Sequence, residues 1–332
     1  MKAISLFSGG LDSILATKLV LEQGIDVIAL HYKTVFWGKG DYDQSVAILK
    51  KRAESLGAKF DIVEISDRYF DIVKNPKYGY GKNINPCIDC KILMLTLAKE
   101  YMKKHKASFL VTGEVLGERP MSQNRPMLNR IEKDSGTRGI LLRPLTAKLL
   151  KPTVPEEEHW IDRDKLYNIS GRSRKPQLAL AKKYNIEDFP NPAGGCLLTD
   201  KNFAEKMRDL IEEKKNFSVN DIEILKNGRV FRISKTAKLI VGRDEKQNGI
   251  LENLARNEDY QFYTKDIAGP IAIGRGNFSK NDIEVACSVV ARYSDLGDLK
   301  SADIYYFNLL KESEKIIHAK VASHGILSRI RI

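Results

Sequence analysis

Short apolar runs alternate with helical patterns along the first 150 residues. The apolar runs have the length of buried strands and predict strands at 3–7, 26–32, 60–64 and 108–112. Apolar positions at helical spacing predict helices near 12–23, 41–56 and 90–105. Such alternation is typical of a parallel sheet with helices on both faces, so we predict a doubly wound α/β fold. Ligands of such folds bind at the carboxyl ends of the strands.

The pattern changes beyond residue 150. Helices predicted near 151–158 and 176–184 flank a polar, basic stretch, and a charged helical segment follows at 201–215. From about residue 226 short strands prevail, with one helix at 279–292, and they are predicted at 229–233, 238–242, 260–264, 270–274 and 303–307. This pattern indicates a second, smaller α+β domain. We therefore predict a first domain at 1–200, a helical linker at 201–225, a second domain at 226–310 and a basic tail at 311–332.

Composition narrows the class of protein. The 332 residues include 42% hydrophobic positions and carry a net charge of +12, spread over both halves of the chain. That balance suits a polyanionic partner such as RNA. No apolar run approaches the roughly 20 residues of a membrane span, and the first strand enters a glycine-rich turn too early for a signal peptide. We therefore expect a cytoplasmic protein without membrane contact.

The turn after the first predicted strand carries the strongest chemical signal. Residues 8–13 read Ser8-Gly9-Gly10-Leu11-Asp12-Ser13 and lead directly into a helix. Glycines let the backbone wrap a phosphate, and a helix N-terminus supplies N–H donors to it. Asp12 is an acid within a phosphate site, which makes sense if it holds Mg²⁺. The turn is not a Walker A loop, because no lysine follows the glycines.

This hexapeptide resembles the SGGxDS loop of the ATP pyrophosphatases, or PP-loop enzymes. The resemblance implies that residues 8–13 bind the pyrophosphate of ATP and that AMP is transferred to a substrate oxygen. His31 ends the second strand on the adenine side of the sheet, where it is either an ATP contact or a strand-end residue whose hydrogen bonds are satisfied within the fold. The alternative for residues 8–13 is a solvent-exposed turn that contains two glycines by chance and has no binding role.

Further segments make the resemblance more specific. They read Thr112-Gly113-Glu114-Val115-Leu116-Gly117, Ser122-Gln123 and Leu142-Arg143-Pro144-Leu145. Together they resemble the PP-loop domain of tRNA 4-thiouridine synthetases over roughly residues 1–195. The resemblance implies adenylation of a uracil oxygen in tRNA and its replacement by sulfur, with 4-thiouridine favoured over 2-thiouridine. Gly113 would then contact ATP, and Glu114 would be an acidic residue on the catalytic face or a substrate-positioning group.

Three cysteines are candidates for the sulfur chemistry. Cys87 and Cys90 form a Cys-x-x-Cys at a helix start, and Cys196 follows Gly194-Gly195. They can hold three corners of a 4Fe–4S cluster, a zinc ion with one further ligand, or a metal-free persulfide relay. The trio resembles that of iron–sulfur-dependent tRNA thiolases, which favours the cluster. Cys287 lies within an amphipathic helix and is expected to be a core residue.

The second domain carries an RNA-related signature. The segment Ile240-Val241-Gly242-Arg243-Asp244-Glu245-Lys246-Gln247-Asn248 resembles the VGRN-x-KQN motif of the NFACT-R domain, with Asp244 in place of the asparagine. The resemblance implies RNA contacts from Arg243, Lys246, Gln247 and Asn248. The exposed basic stretch with Arg172, Arg174 and Lys175 is a further candidate for RNA phosphates. The arginine-rich stretch 119–143 lacks periodicity and predicts a loop over the ATP site, with Arg143 best placed beside nucleotide or RNA.

These observations combine into one functional hypothesis. We predict an ATP- and Mg²⁺-dependent tRNA sulfurtransferase with a 4Fe–4S cluster, which takes sulfur from inorganic sulfide or a cysteine desulfurase. One rival is a PP-loop enzyme that joins an amine to an adenylated carboxylate or amide and does not need the cysteines. The other rival is an RNA-binding factor whose ATP site is only a sensor. The sequence leaves the oligomeric state open, a homodimer included.

Overall fold

The computed structural model describes residues 1–37, 42–191, 196–214, 216–311 and 313–332. The chain divides into two compact units, Met1–Thr199 and Asp200–Ile332. Each unit has its own sheet and its own hydrophobic core. No helix in the described ranges is long and apolar enough to cross a membrane.

The first unit is built on a five-stranded parallel sheet, as predicted. Its strands are β1 (Lys2–Leu6), β2 (Asp26–Lys33), β3 (Lys59–Glu64), β4 (Phe109–Val111) and β5 (Leu141–Leu142). The strand order is β3-β2-β1-β4-β5, and all four pairings are parallel. The order reverses between β1 and β4, so the carboxyl ends of these two strands form the switch point where such sheets bind ligands.

Helices cover both faces of this sheet. They are α1 (Leu11–Leu21), α2 (Tyr42–Ser55), α3 (Ser66–Lys74), α4 (Cys87–Lys104), α5 (Arg125–Ser135), α6 (Val154–Glu157) and α7 (Lys175–Lys183). Short 3₁₀ helices lie at Ala147–Leu149, Arg163–Lys165 and Leu197–Thr199. On one face Ala3 and Phe7 pack with Ile14 of α1, and on the other Ile4 and Leu110 pack with Leu95 of α4.

Part of the arginine-rich stretch departs from the prediction of a loop. Arg125–Ser135 is α5, whose N-cap Asn124 accepts a hydrogen bond from Met127 N at 3.0 Å. Leu128 and Ile131 are its buried apolar positions, with exposures of 1% and 0%. The helix was not predicted because so narrow an apolar stripe is hidden among charged residues.

The second unit is a six-stranded antiparallel sheet with helices. Its strands are β6 (Arg229–Arg232), β7 (Ala237–Val241), β8 (Tyr260–Tyr263), β9 (Ala272–Gly276), β10 (Ser301–Asn308) and β11 (Lys315–Lys320), in the order β11-β10-β8-β9-β7-β6. Its helices are α8 (Lys201–Glu213), α9 (Val219–Lys226), α10 (Glu245–Leu254), α11 (Lys280–Tyr293) and α12 (His324–Ile330). Cys287 of α11 is fully buried in the core with Phe231 and Phe262, which agrees with its predicted packing role.

Two predicted boundaries differ from the structure. The segment 201–225 was predicted to be a linker, but α8 and α9 belong to the second unit, since Phe203, Met207 and Ile222 are buried. The basic tail predicted from residue 311 instead contains β11, which pairs with β10, and α12, which Ser323 caps. Short amphipathic elements carry a weak periodic signal, and the sheet they complete supplies most of their stability.

Candidate active site

The turn between β1 and α1 is shaped for an anion. Gly9 has a φ of +70°, and a Cβ at this position would overlap the Leu49 side chain. Gly10 is the N-cap of α1 and offers no side chain to cap the helix. Ser13 Oγ donates to Gly10 O at 2.8 Å, and Ser8 Oγ lies 3.3 Å from Ser13 Oγ. The N-terminal N–H groups of α1 therefore face the turn without a side-chain cap, which is the arrangement that binds phosphates.

The loop after β4 lies directly against this helix start. A Cβ at Gly113 would come within 2.5 Å of the Asp12 carbonyl group and 2.6 Å of Ser13 N. Only glycine permits so close an approach of two backbones. The structure thus brings the Thr112-Gly113-Glu114 segment and residues 8–13 together at the switch point of the sheet.

Asp12 and Gln177 carry polar atoms without partners at this point. Asp12 Oδ1 is buried and accepts no hydrogen bond from the described residues, and neither Gln177 Oε1 nor Gln177 Nε2 has a partner there. Burial raises the pKa of Asp12, while Gln177, Arg174 and Arg119 lower it. Buried polar atoms normally have partners, so a carboxylate oxygen left without one fits a cation such as Mg²⁺.

His31 lies beside the phosphate turn. It is 4% exposed, its Nδ1 lies 2.9 Å from Phe7 O, and its ring packs 4.4 Å from that of Trp37. Burial lowers the pKa of His31, so the ring is neutral. Because a carbonyl oxygen only accepts, Nδ1 carries the proton and Nε2 is a buried acceptor with no partner in the described residues.

Glu114 is held by two cations rather than exposed to a substrate. Its carboxylate accepts from Arg143 Nε at 2.9 Å and pairs with Lys91 Nζ at 2.9 Å. Burial alone would raise the pKa of Glu114, but Lys91 and Arg143 lower it to about 2. A carboxyl group that stays ionised at neutral pH does not donate a proton, so Glu114 is placed to fix Lys91 and Arg143, and its role toward a substrate stays a prediction.

Arg143 was predicted to contact RNA or nucleotide, and the structure corrects this. Its side chain is 1% exposed and also pairs with Glu132. The guanidinium is therefore part of a buried ion-pair network with Glu114 and Glu132, beside the segment that contacts the phosphate turn. A buried arginine needs carboxylate partners in the core, and the sequence gives no sign of which arginine is so placed.

The three candidate cysteines share one neighbourhood. Cys87 and Cys90 lie in the first turn of α4, and Cys196 Sγ lies 3.9 Å from Phe36 O. Burial raises the pKa of Cys90 to about 12 and that of Cys196 to about 11, and a charge on Cys87 would raise both further. The Tyr69 phenol interacts with all three thiols. The predicted turn at Gly194 and Gly195 lies outside the described residues.

The spacing of the thiols bears on which metal centre they fit. A single zinc ion with three thiolates requires sulfur atoms only about 3.8 Å apart, given Zn–S bonds of about 2.3 Å. In the ranges that the structure describes, no three His, Cys, Asp or Glu side chains are grouped to hold one ion. In a cluster each cysteine binds a different iron, so the sulfur atoms stand farther apart. The described residues therefore show no single-ion site at the three thiols, and the cluster stays a prediction.

The basic stretch before α7 divides into two parts. Arg172 and Lys175 are exposed, as the prediction of RNA contact requires. Arg174 instead acts on Asp12 electrostatically, so it faces the phosphate turn. The segment is fixed there because Gly171 N donates to Leu116 O at 2.8 Å and because α7 packs on α1.

Sequence reasoning did not select two residues of this site, Lys91 and Gln177, and it placed Arg119 only within a loop over the ATP site. Lys91 follows Cys90 in the first turn of α4, and a cation beside a cysteine at a helix start is a signal that could have found it. Nothing in the sequence marks Gln177, which only the packing of α7 on α1 brings to Asp12.

The signature segment of the second unit has mixed roles. Arg243 and Lys246 are exposed, and Asp244 caps α10 by accepting from Gln247 N at 2.8 Å. An asparagine caps a helix in the same way, so Asp244 preserves the turn. Asn248 Oδ1 accepts from Ile271 N at 3.1 Å, so this atom, predicted to contact RNA, holds two backbone segments together.

Comparisons with known proteins agree with this geometry. Residues 1–150 match the family model of the thiamine biosynthesis protein (ThiI). Over these 150 of its 332 residues the chain is similar to the ThiI family. Residues 228–329, beyond this ThiI-like region, match the NFACT protein RNA binding domain, as their signature predicted.

Curated relatives of the chain carry two kinds of name, tRNA-specific 2-thiouridylase and tRNA sulfurtransferase. A tRNA-specific 2-thiouridylase MnmA of Campylobacter concisus is 31% identical over 121 residues, which is 34% of either chain. A probable tRNA sulfurtransferase of Methanothermobacter thermautotrophicus is 29% identical over 171 residues, covering 51% of this chain and 41% of the relative. The chain spans about a third of the length of the first curated relatives it matches, 34% in each case.

Among solved structures, a complex of a 4-thiouridine synthetase with RNA and bound ATP is similar to the chain. Its sequence identity is 20% and its TM-score is 0.40, over 68% of this chain and 52% of that chain.

Proposed function

We propose that this chain is an ATP-dependent tRNA sulfurtransferase that adenylates a uracil carbonyl oxygen and replaces it with sulfur. One observation carries the proposal: the phosphate turn and the cysteine helix are joined by a buried ion pair. Gly113 abuts Asp12 of the turn, the next residue is Glu114, and Glu114 pairs with Lys91, which follows Cys90. The parts needed for activation and for sulfur transfer thus lie at one end of one sheet.

The first half-reaction is the activation of the uracil. Residues 8–13 bind the pyrophosphate part of ATP, and Asp12 would hold Mg²⁺, which would neutralise charge on the phosphates. The uracil oxygen forms a bond to the α-phosphorus as the bond to pyrophosphate breaks, and pyrophosphate leaves. His31, whose Nε2 is a buried acceptor, suits the exocyclic amine of the adenine.

The second half-reaction exchanges oxygen for sulfur. A sulfur nucleophile attacks the activated carbon, the bond from that carbon to oxygen breaks, and the oxygen leaves with AMP. Cys87, Cys90 and Cys196 would hold a 4Fe–4S cluster, which would supply the sulfur nucleophile. The sulfur would come from inorganic sulfide, or from a cysteine desulfurase whose persulfide sulfur a thiol reductant first reduces to sulfide.

The raised pKa values of two buried thiols support a metal centre over a metal-free relay between Cys90 and Cys196. Burial raises the pKa of Cys90 to about 12 and of Cys196 to about 11, so both are protonated at neutral pH. A persulfide relay needs a thiolate, whereas iron binding removes the protons as it forms the Fe–S bonds. The buried thiols therefore suit metal ligation.

We propose 4-thiouridine as the product, on the resemblance of the TGE-x-x-G and Arg-Pro-Leu segments. The Campylobacter concisus relative is a 2-thiouridylase, and this similarity makes 2-thiouridine the second candidate. The NFACT-type domain captures the tRNA, and the reaction takes place in the cytoplasm.

Three variants of the anaerobically purified chain test the proposal. Each receives unmodified tRNA, ATP and sulfide, and the readouts are tRNA-dependent pyrophosphate release and mass spectrometry of the nucleosides. Asp12→Asn is expected to lose both products, because it removes the cation ligand. Cys196→Ala is expected to release pyrophosphate but form no thiouridine, and Cys287→Ala, the matched control in the core, is expected to retain most of both activities.

The same experiment distinguishes the rivals. Full thiolation by Cys196→Ala would remove the cysteines from the mechanism. Tight tRNA binding by the wild-type chain without pyrophosphate release would make it an RNA-binding factor with an ATP-sensing site. Iron and sulfide assays on wild type and Cys87→Ala are expected to give about four of each per wild-type chain and to fall in the variant.

A further inference from the structure

Three arginines from distant segments meet at one edge of the second sheet. Arg229 opens β6, the edge strand, and lies opposite Val241 in the β6–β7 pairing, so Arg243 follows just beyond it. Arg331 forms an isolated bridge with Phe231 of the same strand. We call Arg229, Arg243 and Arg331 the arginine triad.

The triad carries positive charge without acidic partners. None of its members forms an ion pair within the described part of the chain, although Arg229 Nη1 donates to Gly242 O at 3.3 Å. Burial lowers the pKa of Arg229, and repulsion from Arg243 and Arg331 lowers it further. Arg243 and Arg331 are exposed. Like charges held together in this way favour the binding of an anion.

Another arginine of the same domain has acidic partners, unlike the members of the triad. Arg232 lies on the same strand, and its Nη2 donates to Asp209 at 2.6 Å and to Glu213 at 2.7 Å. The fold therefore supplies carboxylates to Arg232 and none, in the described residues, to the triad. An arginine that only stabilises the fold is expected to resemble Arg232.

One member of the triad is fixed in place. The Arg229 guanidinium lies 4.5 Å from the centre of the Tyr293 ring. Stacking on an aromatic ring together with a carbonyl contact restricts the side chain before any ligand binds. A guanidinium also matches the geometry of a phosphate with two parallel N–H donors.

We propose that the arginine triad is the phosphate-binding surface by which the second domain holds the tRNA backbone. The proposal rests on the proposed function, because it takes tRNA as the substrate. It assigns a binding role to Arg229 and to Arg331, which lies in the segment that the sequence predicted to be a tail. Within the NFACT-R-like signature segment it assigns phosphate binding to Arg243 and a structural role to Asn248.

The test compares full-length variants in tRNA binding. Arg243→Glu/Arg331→Glu reverses two exposed charges, and Arg208→Glu, at an exposed position on α8, makes the same change elsewhere in the domain. Fluorescence anisotropy with an unmodified tRNA transcript is measured over a salt series. The double variant is expected to bind on the order of ten-fold more weakly, with the log K against log[salt] slope reduced by about one per arginine. Arg208→Glu is expected to match wild type.

Further measurements separate the proposal from misfolding and from the proposed function. Arg243→Gln removes one charge without reversing it, and ATP affinity is expected to be unchanged in all variants. If the double variant keeps the wild-type tRNA affinity, salt slope and thiolation, the role assigned to the arginine triad is wrong. The proposed function is then unaffected. A wild-type chain that binds no tRNA would overturn the proposed function as well. Binding of polyglutamate by wild type as tightly as tRNA, lost in the double variant, would replace RNA with an acidic protein partner.

Discussion

The first unit contains two helix starts that we assign to the same reaction, and they are built from different chemical groups. The start of α1 is made of backbone, with Gly9 at positive φ, Gly10 as N-cap and Gly113 against Asp12. The start of α4 presents the thiols of Cys87 and Cys90, and its third partner Cys196 comes from a distant loop. The backbone site is complete once the fold forms, whereas burial raises the pKa of Cys90 and of Cys196, and no three ligands in the described residues are grouped around one ion. A site made of backbone needs only the fold, while we propose that the site of the buried thiols is completed by a metal centre.

The largest expected effect comes from breaking the backbone site. Gly113→Val places a side chain where a Cβ alone would lie 2.5 Å from the Asp12 carbonyl group. Because both contacts are backbone, the phosphate turn must shift, and we expect a loss of about 3 kcal/mol, or about a hundred-fold, in affinity for ATP. Isothermal titration with a non-hydrolysable ATP analogue measures it.

The control for this variant is Gly249→Ala. A Cβ at Gly249 meets nothing within 4 Å, and this glycine lies within α10 of the other unit. Its ATP affinity is expected to equal that of wild type. Wild-type ATP affinity in Gly113→Val would show that the close approach of the two backbones does not shape the nucleotide site.

The thiols provide the next test of the comparison. In metal-free protein at pH 8, a Cys90 pKa of about 12 and a Cys196 pKa of about 11 leave little thiolate. We expect iodoacetamide to modify both at least about a hundred-fold more slowly than free cysteine, with rates that rise as pH increases towards these values. Peptide mass spectrometry resolves each cysteine. Fast modification at pH 7 would mean a preformed thiolate site and would favour the persulfide relay.

Removing the Glu114–Lys91 ion pair, which joins the two helix starts, is expected to have a smaller effect. Glu114→Gln leaves Lys91 without its partner and Arg143 with Glu132 alone. Glu114 has a pKa of about 2 in the folded chain and 4.5 as its ordinary value, so its charge stabilises the fold by roughly 3 kcal/mol at neutral pH. Urea unfolding of the variant is expected to show that loss in free energy of unfolding.

The pH dependence of the same variant follows from the sign of the shift. Because the folded-state pKa is lowered, the stabilisation is present above pH 4.5 and is lost as pH falls towards 2. The difference between wild type and Glu114→Gln is therefore expected to shrink below pH 4.5. A difference that stays constant from pH 7 to pH 3 would show that the ion pair does not stabilise this link.

The sequence predicted the strands better than it predicted the roles of the polar residues. Strands β1 to β4 and helices α1 and α4 were predicted from apolar spacing, because a buried parallel strand needs a nearly continuous apolar run. Helix α5 was not, because two buried side chains among charged neighbours leave too little periodicity. Arg143 and Glu114 were assigned to substrate contact for a related reason: a residue's type does not tell whether its charge is met by water, by a ligand or by another residue in the core.

The sequence by itself determined the parallel fold of the first unit, the anion-binding turn and the signature of the RNA-related domain. These features depend on local patterns, namely strand-length apolar runs, glycines that allow positive φ, and capping residues. Only the tertiary structure decided that Glu114 is buried in an ion-pair network, that Gln177 faces Asp12, and that Arg331 joins Arg229 and Arg243. Each of these depends on segments far apart in the chain, and which segments meet is decided by packing, because burial and pairing are properties of the assembled core.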